Sequence, residues 1–412
     1  MTPAFYAEIV SFYFGGYMLV NIAIILLLGM IFGKIFQKIG IAPILGMLIV
    51  GIVISPNQLG LVDQSIYQVS PTLRQIALVV ILSRAGLSLD FDRLKTVGKS
   101  AILLSFIPAS IEMLALIFLG HLIFDLPYLD SGLLASVLAA VSPAIVVPRM
   151  IKLMDEGYGA DKAIPEMILS AASVDDVFVI VFFSSFLALK TGGDTSFMSF
   201  FNIPISIALG IVLGLVVGKI LANIFKKINL SPVYKSIMYL SMAFLMLGLE
   251  DLLKPYIAIS GLIAIMVIGM AINRFASKES KEVLSVYNGL WEVFEILLFV
   301  LVGIALDLAY VKKAGILALL LIILGLVFRM LGVQIALSGS NLNKKEKLFT
   351  SYAYLPKATV QAAIGPVPLA MGLANGELIL SIAVLAILLT APLGAILTDK
   401  TYEKYLVKDN SK

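Results

Sequence analysis

Residues 162–189 read KAIPEMILSAASVDDVFVIVFFSSFLAL, an apolar run of membrane-spanning length with two adjacent aspartates near its centre. A helix crosses the roughly 30 Å of bilayer hydrocarbon in about 20 residues. Similar apolar blocks recur along the 412-residue chain, of which 60% is hydrophobic and 14% is charged. A soluble protein of this length needs a more polar surface, and barrel strands are shorter and alternate in polarity. The stretch therefore predicts an all-α polytopic membrane protein.

The apolar blocks predict thirteen membrane spans with short connections, within a single integral membrane domain over residues 1–412. The predicted spans are 17–36, 42–55, 71–90, 98–122, 128–150, 162–189, 200–226, 232–251, 255–273, 283–306, 313–339, 345–370 and 377–398. Lys and Arg collect on cytoplasmic loops. With the C-terminus in the cytoplasm, 22 of the 30 Lys and Arg residues lie on the cytoplasmic side and five lie outside. This asymmetry predicts a protein of the cell (inner) membrane whose N-terminus is outside.

The rare residue types exclude several kinds of site. The chain has no cysteine and a single histidine, His121, which excludes disulfides, thiolate metal sites and multi-histidine metal sites. The net charge of +4 fits cytoplasmic loops that face anionic lipid. We therefore expect the lipid bilayer as surroundings, no nucleic-acid partner and no cofactor.

A short motif recurs across the chain as GLSLD at residues 86–90 and GIALD at residues 303–307, 217 residues later. The same shift of seven spans pairs the proline-containing fifth span with the proline-containing twelfth span. A shift by an odd number of spans reverses the direction in which the chain crosses the membrane. We therefore predict two inverted repeats, approximately 17–189 and 232–398, joined by a linker helix at 200–226. Interrupted spans at corresponding positions of inverted repeats point to a transport site near the membrane midplane.

Several ionisable residues lie close to the centres of their predicted spans. They are Glu112, Asp175, Asp176, Arg329 and Lys357. Each lone charge at that depth costs at least about 2.5–3.5 kcal/mol, so such residues pair with one another or line a pathway. Their common depth predicts one shared polar site. Scattered structural ion pairs between helices are the alternative interpretation.

The two adjacent carboxylates suggest cation chemistry. Neighbouring helical side chains point about 100° apart, so one carboxylate can bind a fixed cation while the other faces a cavity. The second carboxylate can hold either a proton or Na⁺. Prolines free backbone carbonyls, and Ser142 adds a hydroxyl, so hard oxygen donors suited to Na⁺ or Li⁺ are available. With all five midplane groups ionised, one negative charge remains, which one cation or one proton cancels. If Lys357 also lost a proton when the cation binds, more than one proton would be exchanged for each cation.

Four motifs carry a resemblance to a known family. They are VSPAIVVP at 141–148, GYG at 157–159, SVDD at 173–176 and LPKATVQAAIG at 355–365. They resemble the NHA sodium/proton antiporters of the cation:proton antiporter superfamily. The resemblance extends from about Arg84 to Pro392. It implies the sodium/proton antiporter fold, a homodimer with a moving core of crossed, partly unwound helices.

The resemblance also implies roles for individual residues. Asp176 is similar to the family's main cation and proton carboxylate, and Asp175 to its partner. Ser142 and the backbone near Val141 would complete the cation site.

Three further charges follow from the same resemblance. Lys357 is similar to the basic residue beside the aspartates, and Glu112 and Arg329 resemble an ion pair of the core. The family is one of secondary antiporters that exchange Na⁺ or Li⁺ for H⁺. With the charge count above, an elevator-type motion would carry a neutral site in both directions, which gives electroneutral 1:1 exchange.

Other functions were weighed against this one. A K⁺/H⁺ antiporter and a sodium-coupled organic-anion symporter of the same architecture are the alternatives. A channel is disfavoured because no repeated filter motif occurs. An intramembrane aspartyl protease needs two carboxylates that face one water, whereas Asp175 and Asp176 are neighbours on one helix. We therefore expect a transporter and not an enzyme.

Overall fold

The computed structural model describes residues 18–88, 98–191, 197–253, 257 and 259–408. In these ranges the chain is helical apart from its connections and one antiparallel bridge between Tyr158 and Lys408. The predicted all-α class is confirmed. The end of the first repeated motif, at Asp90, lies outside the described residues.

The helices are numbered here in chain order. The first nine are α1 (Met18–Lys38), α2 (Pro43–Ile54), α3 (Ile66–Ser88), α4 (Lys99–Leu104), α5 (Ile107–Phe124), α6 (Tyr128–Leu138), α7 (Pro143–Glu156), α8 (Ile164–Thr191) and α9 (Phe197–Lys227). The rest are α10 (Pro232–Leu253), α11 (Gly261–Phe275), α12 (Ser277–Ala305), α13 (Leu308–Ala336), α14 (Lys344–Ala353), α15 (Thr359–Ile364), α16 (Val367–Ala370) and α17 (Gly376–Tyr405).

Ten helical segments among the described residues are long and apolar enough to cross a membrane, with α4–α5 and α6–α7 each counted as one segment. The shorter apolar helices α2 and α11 lie at the second and ninth predicted spans. The twelfth predicted span is divided into α14, α15 and α16. The total of thirteen membrane spans stays a prediction.

Two interruptions of the helices cross each other. The first is residues 139–142, after which Pro143 begins α7 at a position where its missing N–H is not needed. The second is residues 354–358, which contain Pro356 and separate α14 from α15. The Ser142 backbone N–H donates to the Pro356 carbonyl at 2.8 Å. The predicted crossed discontinuous helices are therefore confirmed.

The helices pack as two bundles. In the first, which we call the flanking bundle, α1, α2, α3, α9, α10, α11 and α12 pack mainly on one another. In the second, the site bundle, α4–α8 pack with α13–α17. Both interruptions belong to the site bundle. One apolar cluster, which includes Val141, Ile168 and Phe349, lies wholly within it.

Two glycines of the repeated motif allow close helix contacts in the flanking bundle. A Cβ atom at Gly86 would collide with the Met266 carbonyl, where α3 crosses α11. A Cβ atom at Gly303 would collide with the Leu48 carbonyl, where α12 crosses α2. Both copies of the motif thus hold a long helix directly on the backbone of a short apolar helix.

Candidate ion-binding site

The end of α6 shows how the first interruption is stabilised. Its last carbonyls have no helical partner because the chain leaves the helix. Three consecutive carbonyls instead accept side-chain hydrogen bonds from residues far along the chain. Those of Leu138, Ala139 and Ala140 accept from Lys357, Arg329 and Gln361, respectively. Two cations therefore lie at the partly negative end of a helix, where positive charge is favoured.

Two anions and two cations form a continuous network beside this helix end. Arg329 Nη2 lies 3.0 and 2.9 Å from the two Asp175 oxygens, and Arg329 Nη1 lies 3.3 Å from Glu112 Oε2. Lys357 Nζ lies 2.6 Å from Glu112 Oε1. All four residues are at most 1% exposed. Buried charges are stable only when they are paired and hydrogen-bonded, and the four formal charges of this network sum to zero.

The pairing within the network agrees with the expected one only in part. The expected Glu112–Arg329 pair is present, whereas Lys357 was expected beside the aspartates. In the structure Lys357 forms its ion pair with Glu112, and Arg329 reaches both Glu112 and Asp175. The reason is geometric, because a planar guanidinium can bridge two carboxylates whereas an ammonium acts as a point charge.

Asp175 has no spare hydrogen-bonding capacity on one of its oxygens. Its Oδ2 accepts from Arg329 Nη2 and also from the Val141 backbone N–H, at 2.9 Å in each case. Val141 belongs to the first interruption, so Asp175 ties α8 to the broken helix. The Val141 N–H is thus used by the carboxylate of Asp175, and the expected part of the Val141 backbone in binding the cation stays a prediction.

The carboxylate of Asp176 has different surroundings from that of Asp175. Asp176 is 7% exposed, and its Oδ1 is buried with no hydrogen-bond partner in the structure as described. The guanidinium of Arg329 is paired with Asp175, the preceding residue in the chain. Among the three carboxylates of the site, Glu112 and Asp175 are thus held in ion pairs, whereas Asp176 takes no part in those pairs.

Ser142 lies at the crossing of the two interruptions. Its Oγ is 3.5 Å from both the hydroxyl oxygen and the backbone nitrogen of Thr359, the first residue of α15. The second interruption is held from the other side, because the Lys357 backbone N–H donates to Thr390 Oγ1 at 2.9 Å. Every charged side chain that the sequence assigned to the site is thus brought to one place.

Sequence reasoning missed four contributors to this site. Gln361 and Thr359 lie inside the quoted motif at 355–365, and Thr359 follows Ser142 by 217 residues, the offset of the repeat. Both had a signal that could have found them. Tyr354, whose ring centroid lies 5.4 Å from the Arg329 guanidinium carbon, immediately precedes the motif, and Thr390 lies on α17 without any pattern that marks it.

Comparison with known proteins gives concordant results. The family described as "Sodium/hydrogen exchanger, transmembrane" matches residues 22–399. Sodium/hydrogen exchanger 9B2 of Mus musculus is 31% identical over 404 residues, which covers 92% of this chain and 72% of the relative. Sodium/hydrogen exchanger 9B1 of Homo sapiens is 32% identical over 401 residues, with 91% and 76% covered.

The fold also matches a solved structure. The sodium proton antiporter MjNhaP1 from Methanocaldococcus jannaschii, solved at pH 8, superimposes with a TM-score of 0.81 at 23% sequence identity. The match covers 94% of this chain and 98% of that one. At this identity the similarity concerns the fold.

Proposed function

Because the chain belongs to the transmembrane sodium/hydrogen exchanger family, whose members are transporters and not enzymes, we propose that it exchanges Na⁺ for H⁺ at Asp176. The family match and the 9B relatives confirm the resemblance to NHA-type antiporters. The family supports the reaction, and the geometry of the site supports the choice of carboxylate.

One observation carries the choice of Asp176. Its carboxylate has a buried oxygen without a hydrogen-bond partner in the described part of the chain, beside a network whose charges already cancel. An isolated anion at this depth is costly, so a ligand that neutralises it is strongly favoured. A proton and a small cation both do so, and they exclude each other.

The same charge balance supports electroneutral exchange. Asp175 and Glu112 are balanced by Arg329 and Lys357, and this leaves the charge of Asp176 alone. The site is neutral with one bound proton and equally neutral with one bound Na⁺ or Li⁺. Each cycle then exchanges one cation for one proton, and the membrane potential does not drive it.

An elevator-type motion of the site bundle supplies alternating access in this proposal. It is supported by the confinement of the ionic network and both helix interruptions to one bundle, whose helices pack mainly within it. A rigid shift of that bundle along the flanking bundle would carry Asp176 between the two sides. We place the protein in the cell membrane as a homodimer, with its N-terminus outside and its C-terminus in the cytoplasm.

Transport in proteoliposomes tests the proposal. With the purified protein, pulses of Na⁺ or Li⁺ should change the signal of a trapped pH dye, and a potential clamped with K⁺ and valinomycin should leave the initial rate unchanged. Asp176→Asn should reduce the signal to that of protein-free liposomes, because an amide neither binds a proton nor carries charge. Asp161→Asn is the matched control, since Asp161 is an exposed carboxylate in the turn before α8.

The outcomes separate the alternatives. Near wild-type exchange by Asp176→Asn would contradict the assignment of the carboxylate. A response to K⁺ equal to that to Na⁺ would identify a K⁺/H⁺ antiporter. Uptake of an organic anion with Na⁺, without proton movement, would identify a symporter.

A further inference from the structure

Gln361 is a fully buried polar side chain in the first turn of α15, close to the crossing of the two interruptions. Its Nε2 donates to the Ala140 carbonyl at 2.9 Å, whereas its Oε1 is buried without a hydrogen-bond partner among the described residues. Because only the NH₂ end of an amide can donate to a carbonyl, this contact fixes the orientation of the amide. An apolar side chain would avoid the cost of the unpaired oxygen, so the donor is what distinguishes glutamine at this position.

The hydrogen bond from Gln361 holds one side of a peptide group whose other side contacts Asp175. The Ala140 carbonyl and the Val141 N–H belong to the same planar peptide group, and in a trans peptide they point in opposite directions. The Val141 N–H donates to Asp175 Oδ2 at 2.9 Å. Gln361 and Asp175 therefore restrain this peptide group from opposite sides. Loss of the Gln361 donor removes one of these two restraints on its rotation.

The next peptide group along the chain is held as well. It contains the Val141 carbonyl and the Ser142 N–H, and this N–H donates to the Pro356 carbonyl at 2.8 Å. The Val141 carbonyl therefore points away from Pro356. The two peptide groups on either side of the Val141 Cα are thus both restrained, and together they fix the direction of the Val141 carbonyl.

The contact of Gln361 differs in charge from those of its neighbours at the end of α6. The two preceding carbonyls accept from Lys357 and Arg329, the cations of the ionic network. Gln361 is uncharged, so it restrains the Ala140 carbonyl without entering the charge balance of the site. Its substitution therefore changes the geometry of the site and leaves the charges in place.

We propose that Gln361 is a positioning residue that sets the affinity of the site for Na⁺ through the peptide group of Ala140 and Val141. The proposal rests on the proposed function, in which Na⁺ binds at Asp176, and takes the Val141 carbonyl as a further ligand of the cation. With the Gln361 donor in place, the Asp175 carboxylate and the Val141 carbonyl are held in one arrangement before the cation arrives. Without it, part of the binding free energy of Na⁺ is used to restore that arrangement, and the affinity falls.

Removal of the donor tests the proposal. Gln361→Met has a side chain of similar length and should raise the apparent KM for Na⁺ in proteoliposomes about fivefold, the equivalent of one ordinary hydrogen bond, with an unchanged maximal rate per folded protein. The Na⁺ concentration that half-maximally raises the unfolding temperature in detergent should increase by the same factor. Gln334→Met is the matched control, because Gln334 on α13 also donates to a backbone carbonyl of the site bundle, that of Lys347 at 3.1 Å, and both values should stay at the wild-type level.

A change in the backbone tests whether the effect passes through this peptide group. The α-hydroxy analogue of valine, introduced at position 141 by amber suppression, replaces the Val141 N–H by an ester oxygen. The ester protein should also have a KM for Na⁺ raised about fivefold or more, because Asp175 loses a donor. In the ester protein, Gln361→Met should add little to this increase, because the N–H that Gln361 aims at Asp175 is already absent.

An unchanged KM in Gln361→Met would overturn the inference, and so would a lower maximal rate at unchanged KM, which is the mark of a merely structural role. The same would follow if Gln361→Met raised KM by equal factors in the wild type and in the ester protein. If Gln361→Met does not fold, the ester protein decides, since wild-type Na⁺ affinity there would overturn the inference. A wild type that neither exchanges Na⁺ for H⁺ nor is stabilised by Na⁺ would instead overturn the proposed function.

Discussion

At the scale of single residues, Asp175 and Asp176 show how two adjacent carboxylates acquire different roles. Asp175 accepts hydrogen bonds from Arg329 and from the backbone of Val141, so it serves as a fixed counter-ion. Asp176 has a buried oxygen without a partner in the described structure. The difference arises because neighbouring helical positions point about 100° apart, so only one of them can face the guanidinium.

Because Asp175 and Asp176 have different roles, substitution by asparagine should change the stability of the protein by different amounts at the two positions. Asp175→Asn leaves Arg329 without its bidentate partner, and loss of one member of a buried ion pair costs about 3–5 kcal/mol. Asp176→Asn breaks no ion pair of the network and should leave stability close to that of the wild type. Thermal unfolding in detergent without Na⁺ measures both variants. Equal destabilisation by the two substitutions would show that Asp176 also belongs to the structural network.

At the scale of helices, the offset of 217 residues recurs in the contacts of the site. Glu112 pairs with Arg329, and Ser142 contacts Thr359, and the members of each pair are 217 residues apart. Residues related by a two-fold axis touch each other only close to that axis. These contacts support the predicted inverted repeats over 17–189 and 232–398, which stay a prediction.

The glycine contacts of the flanking bundle lead to a prediction at this scale. Gly303→Ala on α12 should destabilise the protein by about 1–3 kcal/mol, because its Cβ atom would meet backbone atoms of α2 that cannot yield. Gly289→Ala on the same helix is the control, since a Cβ atom there meets nothing within 4 Å. Alanine favours a helix over glycine, so this control should be neutral or stabilising in thermal unfolding. Equal stability of the two variants would contradict the tight packing of α12 on α2.

The sequence predicted where the site lies better than it predicted which side chains pair with one another there. Apolar blocks and prolines were sufficient to predict the all-helical class and the two interruptions, because both follow from local chemistry. The second partner of Arg329, Asp175, was not predictable in the same way. It depends on how far α13 is rotated towards α5 and α8, and spacing along one helix does not specify that rotation. Thr390 was missed for a similar reason, because only the packing of α17 against the second interruption brings it to Lys357.

At the scale of the whole molecule, the ionic network makes the proposed elevator-type motion of the site bundle compatible with the bilayer. Four buried charges that cancel can move together without any change in net charge. In the proposed motion the remaining carboxylate would have to be neutralised whenever the bundle crosses the hydrocarbon, because an uncompensated charge there is costly. The proposal therefore couples movement to occupancy, since an empty, ionised site would not cross.

In the proposed exchange, Na⁺ and H⁺ compete for one carboxylate, so the binding of Na⁺ should release a proton. Na⁺ is added to the purified protein in a weakly buffered solution, and the protons released are counted with a pH electrode. We expect about one proton per chain at a pH where Asp176 is protonated, a decline towards zero as the pH rises, and none from Asp176→Asn. Release of the same amount by Asp176→Asn, or binding of Na⁺ by the wild type without any release at any pH, would contradict it.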